Sequence, residues 1–139
     1  MATLSQLLER LQSINIAKEV QDAFNQEAYF AEDLNREQLM GGLGGDRPMP
    51  EYSIKSITKY GKPAGRIRLY DEGDFQKGIT YKAEGDTIKA FSTDRKNDYL
   101  EERYMEYAPL KLTPENKKDM ALQMQYKMAE NIGNKTGLQ

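Results

Sequence analysis

Apolar residues recur along this chain with two different periods, and the change of period divides it. Leu4, Leu7, Leu8, Leu11 and Ile14 follow the spacing of one helical face, with Thr3 or Ser5 placed to cap its start. A second helical stretch is predicted from Ile16 through Phe30, where Ala17, Val20, Phe24, Glu27 and Ala28 share a face. It either continues the first helix or bends near residues 13–15. A short helix over Asn35 to Met40 follows, with Asn35 as N-cap, Glu37 and Gln38 in the first turn, and Gly41-Gly42 as its stop. Period two then takes over. Ile67 and Leu69 alternate with Arg66, Arg68 and Tyr70. Ile79, Tyr81 and Ala83 alternate with Thr80 and Lys82, and after Glu84-Gly85-Asp86 the alternation resumes through Ile88 and Ala90. The prediction is a β-hairpin preceded by a third strand that ends at the turn-forming run Asp71-Glu72-Gly73-Asp74.

Helical period returns near the C-terminus. Thr113 is placed as N-cap, Pro114 at the first helical position, Glu115 in the first turn and Gly133 just past the end. Met120, Ala121, Met124, Met128 and Ile132 form its stripe, which is expected to pack on the hairpin face made by Ile79, Tyr81 and Ile88. Between hairpin and helix, residues 94–105 read as a charged connector in which Tyr99, Leu100, Arg103 and Tyr104 suit a short helix anchored by its tyrosines.

These elements predict a single α+β domain over residues 1–139. It is an antiparallel sheet of three or four strands with N-terminal and C-terminal helices packed on it, plus a long extended loop. The expected parts are a helical 1–40, an extended loop 41–65, the strand and hairpin 66–92, a connector 93–112, the C-terminal helix 113–132 and a flexible tail 133–139.

Composition narrows the chemistry. With no cysteine and no histidine in 139 residues, disulfides, thiol catalysis, imidazole triads and Cys or His metal sites are excluded. The glycines of Gly42-Leu43-Gly44-Gly45-Asp46-Arg47 fail the dinucleotide-binding spacing, follow a helix and lack the Lys-Ser or Lys-Thr pair of a phosphate loop. Asp71-Glu72-Gly73-Asp74 and Asp94 to Asp98 lack the ligand alternation of a calcium loop, and turn chemistry accounts for them. The expectation is a protein that is not an enzyme and carries no cofactor. Asn134-Lys135-Thr136 has the form of a glycosylation sequon, but with neither a secretory signal nor a membrane-spanning run the chain is expected to stay in a cytoplasm until assembly.

The net charge of −2 conceals blocks of alternating sign. Residues 1–46 hold 3 basic and 8 acidic side chains, 47–70 hold 6 and 1, 71–106 hold 6 and 10, and 107–139 hold 5 and 3. Such blocks read either as complementary surfaces between copies or as ordinary solvated faces. Within the basic block, Arg47, Lys55, Lys59, Lys62, Arg66 and Arg68 interleave with Tyr52, Tyr60 and Tyr70. That composition suits a nucleic-acid backbone, or equally the chain's own acidic segment or a neighbouring subunit. Residues 41–63 show no sustained period, yet carry Leu43, Met49, Tyr52, Ile54 and Ile57. These five are candidates for a subunit interface, on an arm that orders against a neighbour.

The order of motifs also resembles a known family. LNREQLMGG, a Pro/Tyr-rich loop with Tyr52, GKPAGRIRLYDEGDFQKGI, a glycine-turned hairpin and APLKLTPENKKDM are similar to tail-completion and head-to-tail joining proteins of tailed bacteriophages. These are also called minor tail or virion morphogenesis proteins, and the likeness is to versions from phages and prophages of Bacteroidetes-like hosts. The family's Asp-Thr-Gly strand-opening motif is matched by Leu69, Asp71, Gly73 and Phe75, with Glu72 in place of the threonine. The resemblance implies a structural virion protein at the neck or tail, assembled in the bacterial host cytoplasm. Its implied partners are copies of itself in a ring and other neck, connector or tail-tube proteins. DNA would pass through the channel without sequence-specific binding. The alternative that the residues leave open is a small nucleic-acid-binding accessory protein using the basic 47–70 segment.

Overall fold

The computed structural model describes residues 3–70 and 73–137. The first helix, α1, spans Leu4–Gln12. Thr3 accepts from the Gln6 N–H while the Gln6 side chain accepts from the Thr3 N–H, a reciprocal cap that satisfies two otherwise orphaned donors. Asn15 caps α2 (Ile16–Gln26) through the Lys18 N–H, so the chain bends where the pattern allowed it to. The predicted helix to Phe30 is interrupted at Glu27, whose φ of −106° and ψ of 12° turn the axis. From there α3 runs Ala28–Met40 without a gap at residues 31–34. Asn35 is therefore mid-helix and fully buried instead of capping a short helix. Gly41 ends α3 as expected.

Among the described residues the sheet has two strands, β1 (Ile79–Glu84) and β2 (Thr87–Ser92), paired antiparallel with Tyr81 opposite Ala90 and Ala83 opposite Ile88. Gly85, at φ 61°, makes the two-residue loop possible. The mixed α+β class holds, but the expected three or four strands do not. The reason lies at the free edge of β1, where side chains from α2 and α3 take the place a third strand would occupy. Asn25 exchanges two hydrogen bonds with the Ala83 backbone (2.8 and 3.1 Å), Glu32 accepts from the Tyr81 N–H (2.9 Å) and Gln21 accepts from the Gly85 N–H (2.9 Å). Arg36 donates to the Ile79 carbonyl on the same edge (3.1 Å). An edge satisfied in this way cannot template another strand.

The predicted third strand at 66–70 pairs elsewhere. The Ile67 N–H donates to Pro50 (2.8 Å), the Tyr52 N–H donates to Gly65 (3.0 Å), and Glu51 and Arg66 form an isolated bridge. Leu69, at φ 53°, then turns the chain away. Ile67 and Leu69 are buried, so their alternation was a true burial signal attached to a different local structure.

The expected extended loop holds a helix as well. Ser53 caps α4 (Ile54–Tyr60) and Gly61, left-handed at φ 68°, closes it. Short helices α5 (Asp74–Lys77) and α6 (Asn97–Arg103) and a 3₁₀ turn at Met105–Tyr107 lead to α7, Pro114–Thr136. Its start is the predicted Thr113 cap, with the hydroxyl accepting from the Asn116 N–H (3.2 Å). Its end is not at Gly133, which lies buried inside the helix, but at Gly137, whose φ of 78° provides the left-handed stop. The expected flexible tail is thus helical through Thr136, and the sequon-like triplet sits in the last turn with Thr136 buried.

The core gathers Phe24, Ala28, Ala31 and Leu39 from α2 and α3, Ile79, Tyr81 and Ala83 from β1, and Met49, Phe75, Leu110, Leu112 and Met120 from the connecting segments and α7. Helices α2 and α7 lie antiparallel. Glu19 meets Lys135 at one end, Gln26 accepts from Asn131 (2.8 Å) in the middle, and Glu27 accepts from Gln123 (3.3 Å) toward the other end.

Candidate functional site

The stripe of α7 does not close onto the hairpin. A groove of about 850 Å³ separates them. Phe24 of α2 and Tyr81 of β1 line it together with Leu110 and Leu112. Ile88 and Ala90 of β2 contribute from the hairpin, Met120, Ala121 and Met124 from α7, and Met105 from the 3₁₀ turn. Four charged residues also border it: Glu101 and Glu102 from α6, and Lys111 and Lys117 from the entry to α7 and its first turns. Ile88 is 56% exposed and Met105 74% exposed, so apolar surface stands open to solvent on a small chain. The expectation that Ile88 is packed like Ile79 and Tyr81 is therefore corrected. The register puts it on the same face, but that face runs out from under its cover at the hairpin tip.

The floor of the groove is held from behind by two buried polar side chains of α3. Asn35 donates to the Pro109 carbonyl (2.9 Å). Gln38 donates to the Lys111 carbonyl (2.8 Å) and accepts from the Thr113 N–H (2.9 Å) and Asn116 Nδ2 (3.1 Å). Tyr81 donates its hydroxyl to the Leu110 carbonyl. Burial, with a smaller contribution from the nearby Glu32 carboxylate, raises its phenol above the ordinary tyrosine value, so it stays a neutral donor. Cap chemistry in the sequence makes Asn35 an N-cap and puts Gln38 in the first turn of a short helix. Their type, two amides three apart facing inward on a longer helix, was the only available signal of this role.

The glycine-rich stretch 41–49 braces the same floor. The Gly45 N–H donates to Ala108 (2.8 Å) and the Asp46 N–H to Tyr107 (3.3 Å), while Lys111 pairs with Asp46 (2.7 Å). The hydrogen bond from Lys111 lowers the Asp46 carboxyl below its ordinary value. A side chain at Gly44 would run into the Tyr107 carbonyl, and one at Gly45 into the Lys111 backbone. Met49, a candidate interface residue by sequence, is completely buried here, so that assignment is corrected: it belongs to this chain's own core. Of the other four, Ile54 (80% exposed) and Leu43 (41%) present surface, while Tyr52 and Ile57 are half-buried.

The basic residues fall into separate places. Arg47 stands 5.4 Å over the Tyr107 ring and 3.8 Å from Glu106, and Arg66 donates to the Met49 carbonyl (2.7 Å). Lys55 and Lys59 are exposed on α4, and Arg68 is exposed beyond it. Lys62 lines a second cavity of about 310 Å³ with Tyr52, Leu69, Tyr70 and Phe75. The family-like motif residues Leu69 and Phe75 are core, and Gly73, at φ 87°, opens α5. Asp71 lies outside the described residues, as does Glu72. Among the described residues, no cluster of three acidic side chains suited to a metal ion occurs, and no helix is long and apolar enough to cross a membrane. Comparison of the chain with protein-family models, curated proteins and solved structures finds no match in any of the three.

Proposed function

We propose that the chain is a structural subunit of a tailed-bacteriophage virion. It would act at the neck or in tail completion, within a ring that joins the tail to the capsid connector. The observation that carries this reading is the open apolar groove, with Ile88 and Met105 uncovered and opposite charges at its border. Apolar surface of this kind is what a protein working through contacts presents, and charges around it set register and partner choice. The order of motifs from Asn35 to Asn116 adds the virion context that the groove by itself does not specify. The work is done by surfaces and not by a catalytic group. Other neck, connector and tail-tube proteins are the remaining partners, and DNA passes without sequence-specific contact.

Deleting the gene tests the reading. The expected result is an accumulation of separate filled heads and finished tails that the purified protein joins on addition, with the protein present in intact particles by mass spectrometry. Joined particles forming normally without it would overturn the proposal. A nucleic-acid role would show itself differently. The isolated protein would then retard DNA with an affinity falling about a hundredfold or more between 50 and 200 mM salt, and that slope would flatten on removing Lys55, Lys59 and Lys62.

A further inference from the structure

The hairpin has two edges, and only one of them is closed. In an antiparallel ladder a residue's N–H and carbonyl point to the same side, and the sides alternate along the strand. On β1 the outward set is Ile79, Tyr81 and Ala83, as their hydrogen bonds to Arg36, Glu32 and Asn25 show. Their partners across the ladder are Ser92, Ala90 and Ile88, so these three face outward on β2. The Ser92 N–H is occupied, donating to Asn97 Oδ1 (2.7 Å). Among the described residues, nothing donates to or accepts from the outward main chain of Ile88 and Ala90. Both residues also line the groove, so the open edge and the open apolar surface adjoin.

We propose that this edge takes a third strand from another protein, an extended segment with apolar residues at alternate positions and an acidic residue between two of them. Unpaired groups spaced along a strand edge are matched by an extended chain, whereas a helix has already paired its own N–H and carbonyl groups internally. Period two then assigns the side chains. Residues opposite Ile88 and Ala90 turn to the same face as these two and enter the groove beside Tyr81, Met120 and Met124. The residue between them lies opposite Lys89 on the other face. There Lys82 and Lys89 share one carboxylate, that of Glu84 (3.2 Å each), which leaves an excess of positive charge for an acidic side chain to meet.

A second copy's β2 fits poorly. The register in which two such edges satisfy both open N–H groups and both open carbonyls pairs Ile88 of one copy with Ala90 of the other. It therefore sets Lys89 directly against Lys89, which is destabilising. The contact stands apart from the virion reading, because it fixes the conformation and side-chain pattern of the partner segment whatever assembly the chain belongs to.

Proline gives a selective probe. At Ala90 it removes an outward N–H and no rung of the β1–β2 ladder, a position where sheets accept proline. A display library of short random peptides is panned against the full-length protein. The expected binders alternate apolar with polar residues and carry Asp or Glu opposite Lys89. They should slow amide exchange at Ile88 and Ala90, and bind Ala90→Pro protein about tenfold or more weakly, as loss of a hydrogen bond predicts. Replacing the binder's acidic residue by lysine should weaken it, and Lys89→Glu should restore it. If Ala90→Pro unfolds the hairpin, N-methylation of each peptide amide in turn carries the test on wild-type protein, with binding lost at alternate positions only. Enrichment of no peptide, an N-methyl scan without alternation, or binding that leaves the Ile88 and Ala90 amides exchanging as before overturns the proposal. So does a wild-type dimer in which those two amides are protected without peptide.

Discussion

Helix α1 and the glycine segment 41–49 invert what a sequence pattern is usually taken to say. α1 has one of the most regular apolar stripes in the chain and forms the helix expected of it, yet buries no residue. The glycine segment has no period at all. It nevertheless contains Met49, fully buried, and Gly42, Gly44 and Gly45, which lie against neighbouring backbone or side chains too closely to accept a Cβ. Periodicity reports which local structure a stretch adopts. Burial depends on what the rest of the chain brings near, and close backbone approach favours glycine, which leaves no hydrophobic signature.

The sharpest way to break this contrast is Gly44→Val. The added side chain would meet the Tyr107 carbonyl, and either the brace or the floor of the groove must move, so a loss of about 3 kcal/mol or more is expected in urea unfolding. A midpoint close to wild type would show that the segment is not locked in place. Met49→Ala should follow, at about 2–5 kcal/mol, as a large-to-small change at a fully buried site. Ile88→Asp makes the opposite point. Although Ile88 shares the apolar face of the hairpin, its 56% exposure predicts a change below about 1 kcal/mol in dilute protein, and a cooperative melt near the wild-type temperature is the expected observation. Leu4→Ser with Leu8→Ser should cost within about 0.5 kcal/mol each despite disrupting a full apolar stripe.

The smallest effect concerns the ion pair that pins the glycine segment. Asp46 has a lowered carboxyl pKa in the folded chain because Lys111 hydrogen-bonds to it, so the pair's contribution is present above the ordinary aspartate range and is lost as pH falls through the lowered value. Lys111→Met should return the Asp46 titration upward toward its ordinary position, as followed by NMR. An unshifted titration would mean the pair is not formed in solution.

Much of the fold was legible wherever local chemistry decides local structure. The caps at Thr3, Thr113 and Gly41 and the hairpin about Gly85 needed no distant information. The failures share one cause, which is contact between residues far apart in sequence. Nothing near Ile79 to Glu84 announces that Gln21, Asn25 and Glu32 will occupy the strand's free edge, so a third strand was expected from Ile67 and Leu69. Gly133 looked like a helix stop because its burial inside α7 is set by packing, whereas Gly137 meets the left-handed requirement. α4 was readable in principle, since Ser53 and Gly61 are ordinary caps, but the prolines and glycines around it suggested irregular chain. The groove was the least visible feature. Its residues come from α2, both strands, α6, the 3₁₀ turn and α7, and only the fold brings them together.

The floor of the groove has a further consequence for a chain made from its N-terminus. Residues 108–112 close it and α7 forms a wall, whereas the hairpin is complete at Ser92. At a synthesis rate of about 5–20 residues per second, the hairpin precedes residue 112 by roughly 1–4 s. During that interval the face bearing Tyr81 and Ile88 has neither floor nor wall beside it, and a chain cut short before residue 112 keeps that face uncovered.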